Sequence, residues 1–283
     1  MQNYIILGLK MKIISHPLEL KEYLNTQDGS IGYVPTMGAL HEGHISLIKQ
    51  ARNNNDLVVV SIFVNPTQFL AGEDLDSYPR RDEADKKICE LAGVDVVFMP
   101  QAEFLYNDDE ATIQAPNLRG YILEGATRPG HFSGVLRVVM KLLNIVRPTR
   151  AYFGKKDAQQ LFLLQQMVDD YFMDVQIVPV DTVRESDGLA LSSRNSYLNT
   201  QERQEALKIS QSLYEASSMI QQGQDDVALI QKKMEEILEP LEIGYVAIVN
   251  RNFDPIQRVE IGNTIILVEA LVGTTRLLDN IWL

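Results

Sequence analysis

Two histidines set three residues apart, His41 and His44, stand in "VPTMGALHEGHISLI", where strand-forming residues give way to a helical pattern. In helical geometry, side chains at i and i+3 project from one face. The first turn of a helix also presents free backbone N–H groups and the positive end of the helix dipole. A phosphate placed there would meet N–H donors and two imidazoles together. Imidazoles can donate hydrogen bonds to the charge that builds on a phosphorus undergoing displacement. Gly38 and Gly43 let the backbone come close to such a ligand. For a lone histidine a structural role would be the better reading; for His-x-Gly-His directly after a strand it is not. Zinc is disfavoured, because the other two of four histidines, His16 and His131, are distant in sequence and one cysteine offers no partner set. His16, before Pro17, reads as a surface residue.

Two further stretches carry groups suited to phosphates. "YFGKKDAQQ" puts a glycine, two lysines and an aspartate at a strand-to-helix junction, where a lysine can hold a phosphate as a mobile point charge. Asp157 there can cap the following helix, touch a ribose hydroxyl or meet a metal. The spacing is not that of a Walker loop. "ALSSRNSYL" adds two serine hydroxyls and a guanidinium, a set that suits a polyphosphate. "EGATRPGHFSGV" brings Arg128 and His131 ahead of a helix on a rigid Pro-Gly turn, as a flap over the site or as a substrate-positioning loop.

The elements that must position these groups alternate. Strands are expected at 31–36, 56–66, 94–100, 150–154 and 174–183, and helices at 43–55, 81–92, 130–146 and 157–171. That order implies βαβ units, a parallel sheet and right-handed crossovers. Ligands of such sheets bind beyond the carboxyl ends of the strands. "PTMGALHEGH", "NPTQF", "FGKKDAQQ" and "VRESDGLALSSR" each begin where an expected strand ends, so they meet there. After about residue 199 the pattern changes to two amphipathic helices, the first with Thr200 as N-cap, and three strand-like segments. This reads as a smaller α+β domain joined near residues 182–190.

The 283 residues are 45% hydrophobic, enough for a sizeable core in two unequal domains. A net charge of -12 repels phosphate backbones and argues against a nucleic-acid partner, while leaving room for a local nucleotide site. No apolar run reaches the roughly 18 residues of a membrane span. The opening "MQNYIILGLKMKIIS" lacks a cationic start and a small-residue cleavage site and reads as a strand, with Met11 a possible second start. The single cysteine, Cys89, excludes an intrachain disulfide, fits a reducing cytoplasm and reads as a packing residue.

Together these motifs resemble the pantothenate synthetase (pantoate–β-alanine ligase) family along nearly the whole chain. The stretches that carry the resemblance are "PTMGALHEGH", "FVNPTQF", "YPR", "RPGHFSGV", "FGKKDAQQ" and "LSSRNSYL", in the family's order. His-x-Gly-His alone would mark only a wider superfamily of adenylyl and nucleotidyl transferases. The resemblance implies an α/β fold, with a Rossmann-like parallel-sheet N-terminal domain (1–183) and a smaller α+β C-terminal domain (184–283) acting as a lid. It implies that ATP and pantoate, with Mg2+, give an enzyme-bound pantoyl adenylate and pyrophosphate. The amine of β-alanine then attacks the acyl carbon, releasing pantothenate and AMP. It also implies a cytoplasmic homodimer.

Residue by residue, the resemblance makes His44 the catalytic histidine, assisted by His41 and Lys156. ATP would be bordered by Met37, Gly38, Ala39, Leu40, His41, Glu42, Gly43 and His44, by Gly154, Lys155, Lys156 and Asp157, and by Val183 at the adenine. Leu191, Ser192, Ser193 and Arg194 would receive the leaving pyrophosphate. Gln68 and Gln160 match the pantoate-binding glutamines, with Gln68 also at β-alanine; an amide both donates and accepts, which suits hydroxyls and a carboxylate. The chain departs from the pattern at Arg81, where threonine is expected. The carboxylate expected to contact magnesium falls among "DEADKK", with Asp85 nearest and Ala84 in a neighbouring slot. Leu191 replaces a common methionine of similar volume.

Two rivals compete. Another transferase of the superfamily would adenylylate a phosphorylated acceptor and ignore pantoate. A non-catalytic nucleotide-binding module would keep the glycines and lose His44, Lys156 or the glutamines, all of which are present. An aminoacyl-tRNA synthetase is disfavoured by the short, acidic chain.

Overall fold

A computed structural model describes residues 11–283. Of the strand expected in the opening stretch, β1 (Lys12–Ile14) is seen, and residues 1–10 lie outside the described residues. The alternation yields β2 (Ile31–Thr36), β3 (Leu57–Ile62), β4 (Val96–Phe98), β5 (Arg150–Gly154) and β6 (Gln176–Val180). With β1 they form one six-stranded sheet in the order β1-β4-β3-β2-β5-β6, each pairing parallel. Every residue of β3 is buried, as expected for a β-branched run covered on both faces. The strand expected over 56–66 stops at Ile62. Pro66, which has no N–H to give a ladder, begins a 3-10 turn that the Asn65 side chain caps at Thr67 N.

The helices are α1 (Pro17–Asn25), α2 (Glu42–Asn54), α3 (Asp82–Leu91), the single turns α4 (Ala102–Leu105) and α5 (Glu124–Thr127), α6 (His131–Val146) and α7 (Ala158–Asp170). Leu20 of α1, Leu136 and Leu143 of α6 and Leu164 of α7 cover one face of the sheet. Leu47 and Ile48 of α2 and Cys89 of α3 cover the other. Cys89 is fully buried, and burial first, Asp85 second, push its thiol up to about 12. It is the inert packing residue expected. His16 is the exposed N-cap of α1, accepting from Leu18 N.

The second unit contains α8 (Thr200–Gln221), α9 (Val227–Leu238) and an antiparallel sheet β7-β8-β9 (Glu242–Asn250, Thr264–Val272, Thr275–Trp282). Its first helix is capped by Asn199, not Thr200: the Asn199 carboxamide oxygen accepts from Gln201 N and Glu202 N, and the Glu202 carboxylate accepts from Asn199 N in return. Strand alternation splits β8 in two. Ile266, Val268, Ala270 and Val272 pack on α8 and α9, while Ile265 and Leu267 face Ala158 and Phe253. The small sheet is therefore sandwiched between its own helices and the first unit. No helix among the described residues is long and apolar enough to cross a membrane.

Strands β2 and β5 are neighbours, paired at Gly32↔Arg150 and Tyr33↔Ala151. The chain leaves β2 for β3 on one side and β5 for β6 on the other, so this is where the strand order reverses. A crevice opens beyond the carboxyl ends of strands at such a point. It brings the histidine loop and the lysine turn together although more than a hundred residues separate them.

Candidate active site

A cavity of about 940 Å³ occupies this crevice, with the antiparallel sheet as its roof. Gly38 (φ 85°) and Ala39 (φ 51°) turn the chain out of β2 through the left-handed region. The turn is held from below by Asp85 in the first turn of α3. Its two carboxylate oxygens accept from Ala39 N and Leu40 N, each at 2.8 Å, and the residue is 1% exposed.

The structure does not bring Asp85, the residue expected at magnesium, to the cavity: its carboxylate faces the loop backbone. The same bonds remove the Ala39 and Leu40 N–H groups from any phosphate. Gly38, Ala39, Leu40 and Glu42 do not line the cavity, while Met37, His41, Gly43 and His44 do.

The two histidines begin α2 as reciprocal caps. His41 Nδ1 accepts from Gly43 N at 3.2 Å, and His44 Nδ1 accepts from His41 N at 3.3 Å. The rings lie 4.1 Å apart between centroids. An Nδ1 that accepts an N–H carries no proton, so in each neutral ring the proton is on Nε2. Burial lowers the pKa of both: His41 further by Lys156, and His44, down to about 3, further by His41. Both are neutral imidazoles near pH 7, each with one Nε2–H to donate.

Lys156 and Asp157 line the cavity between β5 and α7, with Lys156 Nζ 3.6 Å from Asp157 Oδ1. Lys155 does not: it pairs with Asp181 at 2.6 Å. Asp157 begins α7 without capping it by a side-chain bond, and its carboxylate stays half exposed. Asn280 of β9, which the sequence did not single out, donates from one amide to Lys155 O (3.0 Å) and Lys156 O (2.6 Å) and fixes this turn to the roof.

Gln68 and Gln160 both line the cavity. Asn65, 1% exposed, donates to Gln68 Oε1 at 3.1 Å and so orients its amide. The "RPGH" stretch is a wall, not a flap. His131 Nδ1 donates to Gln68 O at 2.8 Å, which leaves Nε2 to accept from Arg128 Nη1 at 2.9 Å. Burial first and Arg128 second lower His131 to about 4. Glu73 clamps Arg128 with both oxygens. Gln159 is the structural member of its pair, buried and bonded to Glu124 N, Arg119 O and Ile122 O.

Val183, Leu191, Ser192, Ser193 and Arg194 complete the far wall. Leu191 N donates to Val183 O at 3.0 Å, and Ser192 Oγ caps the following 3-10 turn at Arg194 N. Arg194 is held by both oxygens of Asp74 at 2.9 and 3.0 Å. Glu73 and Asp74 were not found from sequence; their loop carries no signal beyond acidity.

Among the described residues no cluster of three histidine, cysteine or acidic side chains is placed to hold a metal ion. Magnesium does not require one. It keeps several waters and takes one or two carboxylates together with substrate phosphates. Asp157 is an accessible carboxylate beside the phosphate-suited groups and fits that use.

The sequence over residues 12–282 matches the family model described as Pantoate-beta-alanine ligase. Pantothenate synthetase of Sulfurimonas denitrificans is 66% identical over 273 residues, covering 96% of this chain and all of that protein. The Aliarcobacter butzleri enzyme of the same name is 59% identical over the same shares. The crystal structure of pantothenate synthetase from Thermus thermophilus superposes with a TM-score of 0.92 at 41% identity, covering 96% of this chain and 99% of that one. Pantoate-beta-alanine ligase from Francisella tularensis, complexed with beta-gamma ATP and beta-alanine, gives 0.79 at 37% identity, covering 96% and 97%.

Proposed function

The chain belongs to the pantoate–β-alanine ligase family and is an enzyme, and from that premise we propose that it condenses pantoate with β-alanine to pantothenate. The reaction uses ATP, passes through an enzyme-bound pantoyl adenylate, and releases pyrophosphate and then AMP. The observation that carries this reading is that His41, His44, Lys156, Arg194, Gln68 and Gln160 line one cavity. The ligands of the Francisella relative are compatible with it.

In this reading the pantoate carboxylate attacks the α-phosphorus. His41 and His44 donate their Nε2 protons in hydrogen bonds to the oxygens where charge builds, and Lys156 adds a full positive charge. Neutral donors suit this role, because they bind the transition state without surrendering a proton. Pyrophosphate departs toward Ser192, Ser193 and Arg194. Gln68 and Gln160 hold the pantoate hydroxyls and carboxylate, and Gln68 also borders β-alanine. Holding two substrates in line accounts for roughly 7–11 kcal/mol of barrier lowering. Asp157 would hold a magnesium ion brought with the nucleotide phosphates, and the ion would supply further charge neutralisation there. We take residues 1–183 as the nucleotide- and pantoate-binding domain, 184–283 as the closing domain, and the protein as a cytoplasmic homodimer, the last testable by light scattering.

The test is ATP–pyrophosphate exchange with and without pantoate, followed by addition of β-alanine. Exchange that requires pantoate, then amide and AMP on adding the amine, is the expected result. Exchange that ignores pantoate and follows a phosphorylated acceptor overturns the reading.

A further inference from the structure

Where the cavity meets its roof lies a group of ionisable side chains that none of these roles uses. Glu124 of α5 is 7% exposed and lines the cavity. Its Oε1 accepts from the Tyr245 hydroxyl at 3.2 Å, and its Oε2 lies 3.4 Å from Arg276 Nη2. Glu269 of β8, only 2% exposed, stands behind it. Strand alternation puts Glu269 on the same face as Leu267 and Leu271, both of which line the cavity. Its Oε2 fills the space over the bulge in β7, where a Cβ on Gly244 would collide with it. Among the described residues nothing donates a hydrogen bond to the Glu269 carboxyl and no cation pairs with it.

A buried carboxyl without a donor is costly to keep charged. The groups that act on Glu269 are Glu124 from α5, Arg276 from β9 and Glu242 from β7. Burial first and Glu124 second push Glu269 up to about 7, against the pull of Arg276. Tyr245 is pushed well above its ordinary value by burial and by both carboxylates, so its hydroxyl keeps the proton that it donates to Glu124.

Other carboxylates that line the cavity are engaged: Glu73 on Arg128, Asp74 on Arg194, Asp181 on Lys155, Asp279 on Arg184, Asp157 beside Lys156, and Glu202 accepting from Asn199 N. Glu124 and Glu269 thus bring two carboxyls together with one cation, Arg276, beside them. Glu124 and Gln68 line the same cavity. Arg276, which touches Glu124, acts electrostatically on His131, and His131 holds Gln68 O.

An amine acceptor enters as an ammonium ion and cannot attack until it loses a proton. Resting on the reading above, we propose that the Glu124–Glu269 pair receives the ammonium head of the acceptor and takes that proton. Glu124 touches the amine; Glu269 is a positioning residue whose like charge favours proton uptake by the pair. The step balances. The ammonium gives one proton to the pair, and its freed electron pair forms the C–N bond to the acyl carbon. The bond from that carbon to the AMP oxygen breaks, and its electrons leave on AMP. The second N–H proton of the adduct passes to water, and the pair's proton follows on product release.

The test compares Glu269→Gln and Glu124→Gln with the unsubstituted protein at pH 7, at saturating β-alanine. Two rates are read on each sample: pantoate-dependent ATP–pyrophosphate exchange, which also reports a folded cavity, and amide formation. We expect the ratio of amide formation to exchange to fall by about 10²-fold in each variant. Hydroxylamine, largely unprotonated at pH 7, should restore that ratio, because a neutral nucleophile needs no base. A ratio that does not move, or one that falls equally with hydroxylamine, overturns the proposal. Absence of pantoate-dependent exchange in the unsubstituted protein overturns the underlying function instead.

Discussion

His44 lines the cavity and Glu269 is buried in its roof, and the two ionisable groups are held in opposite ways. His44 belongs to the floor, on a loop at the carboxyl end of a parallel strand, with its Nδ1 saturated by a backbone N–H. Glu269 belongs to the roof, inside an antiparallel strand, with no donor among the described residues. On the floor, backbone and side chains satisfy one another, so each reactive atom has one orientation. In the roof, a carboxyl is kept in a costly setting by the packing around it. One site thus draws directional donors from loops and proton affinity from a strand.

The largest effect that would break this contrast lies on the floor. Lys156→Ala or His44→Ala should lower pyrophosphate release by about 10²–10³-fold, or roughly 3–4 kcal/mol, with the fold retained. Near-normal release in either variant would remove the floor from the chemistry. Asp85→Ala leaves two buried N–H groups without an acceptor and should cost about 2–4 kcal/mol in urea unfolding. An unchanged urea midpoint would show that the loop does not depend on its buried support. Asn280→Ala removes two hydrogen bonds between roof and floor and should cost about 1–2 kcal/mol, read by thermal unfolding.

The smallest effects sharpen the contrast through pH, because the two groups have opposite signs. His44 has a folded pKa of about 3 against 6.5 in the free side chain, so the unfolded state binds more protons between those values. Its contribution is present above pH 6.5 and is lost on acidification toward pH 3. Glu269 is raised from 4.5 to about 7, so the folded state binds more protons in that window. Its contribution is present below pH 4.5 and is lost as pH rises through 7. Urea midpoints of Glu269→Gln and the unsubstituted protein should diverge from pH 4.5 to 7 in favour of the variant. Parallel curves would mean that Glu269 carries no raised proton affinity.

The floor was largely legible in the sequence. Strand-to-helix junctions place their loops at one end of a parallel sheet, and His41, His44, Lys156, Gln68 and Arg194 sit on such loops. What failed there was the direction of individual groups. Asp85 read as a metal contact because a carboxylate near a glycine loop does not announce whether it faces a ligand or a backbone. Lys155 and Lys156 are adjacent, and only the fold decides which faces the cavity. The roof was not legible. Glu269 interrupts the apolar run "TIILVEALV", and an isolated glutamate in an antiparallel strand ordinarily marks a solvated face. Here that face is covered by another part of the molecule, a fact of tertiary packing that no local pattern contains.

The Asn280 carboxamide grips two successive carbonyls of the turn that bears Lys156. On the function proposed above, any lift of the antiparallel sheet to admit a nucleotide would tug on the lysine that is to meet its phosphates. Entry and alignment would then be one mechanical variable, and a half-seated sheet would also be a misaimed lysine.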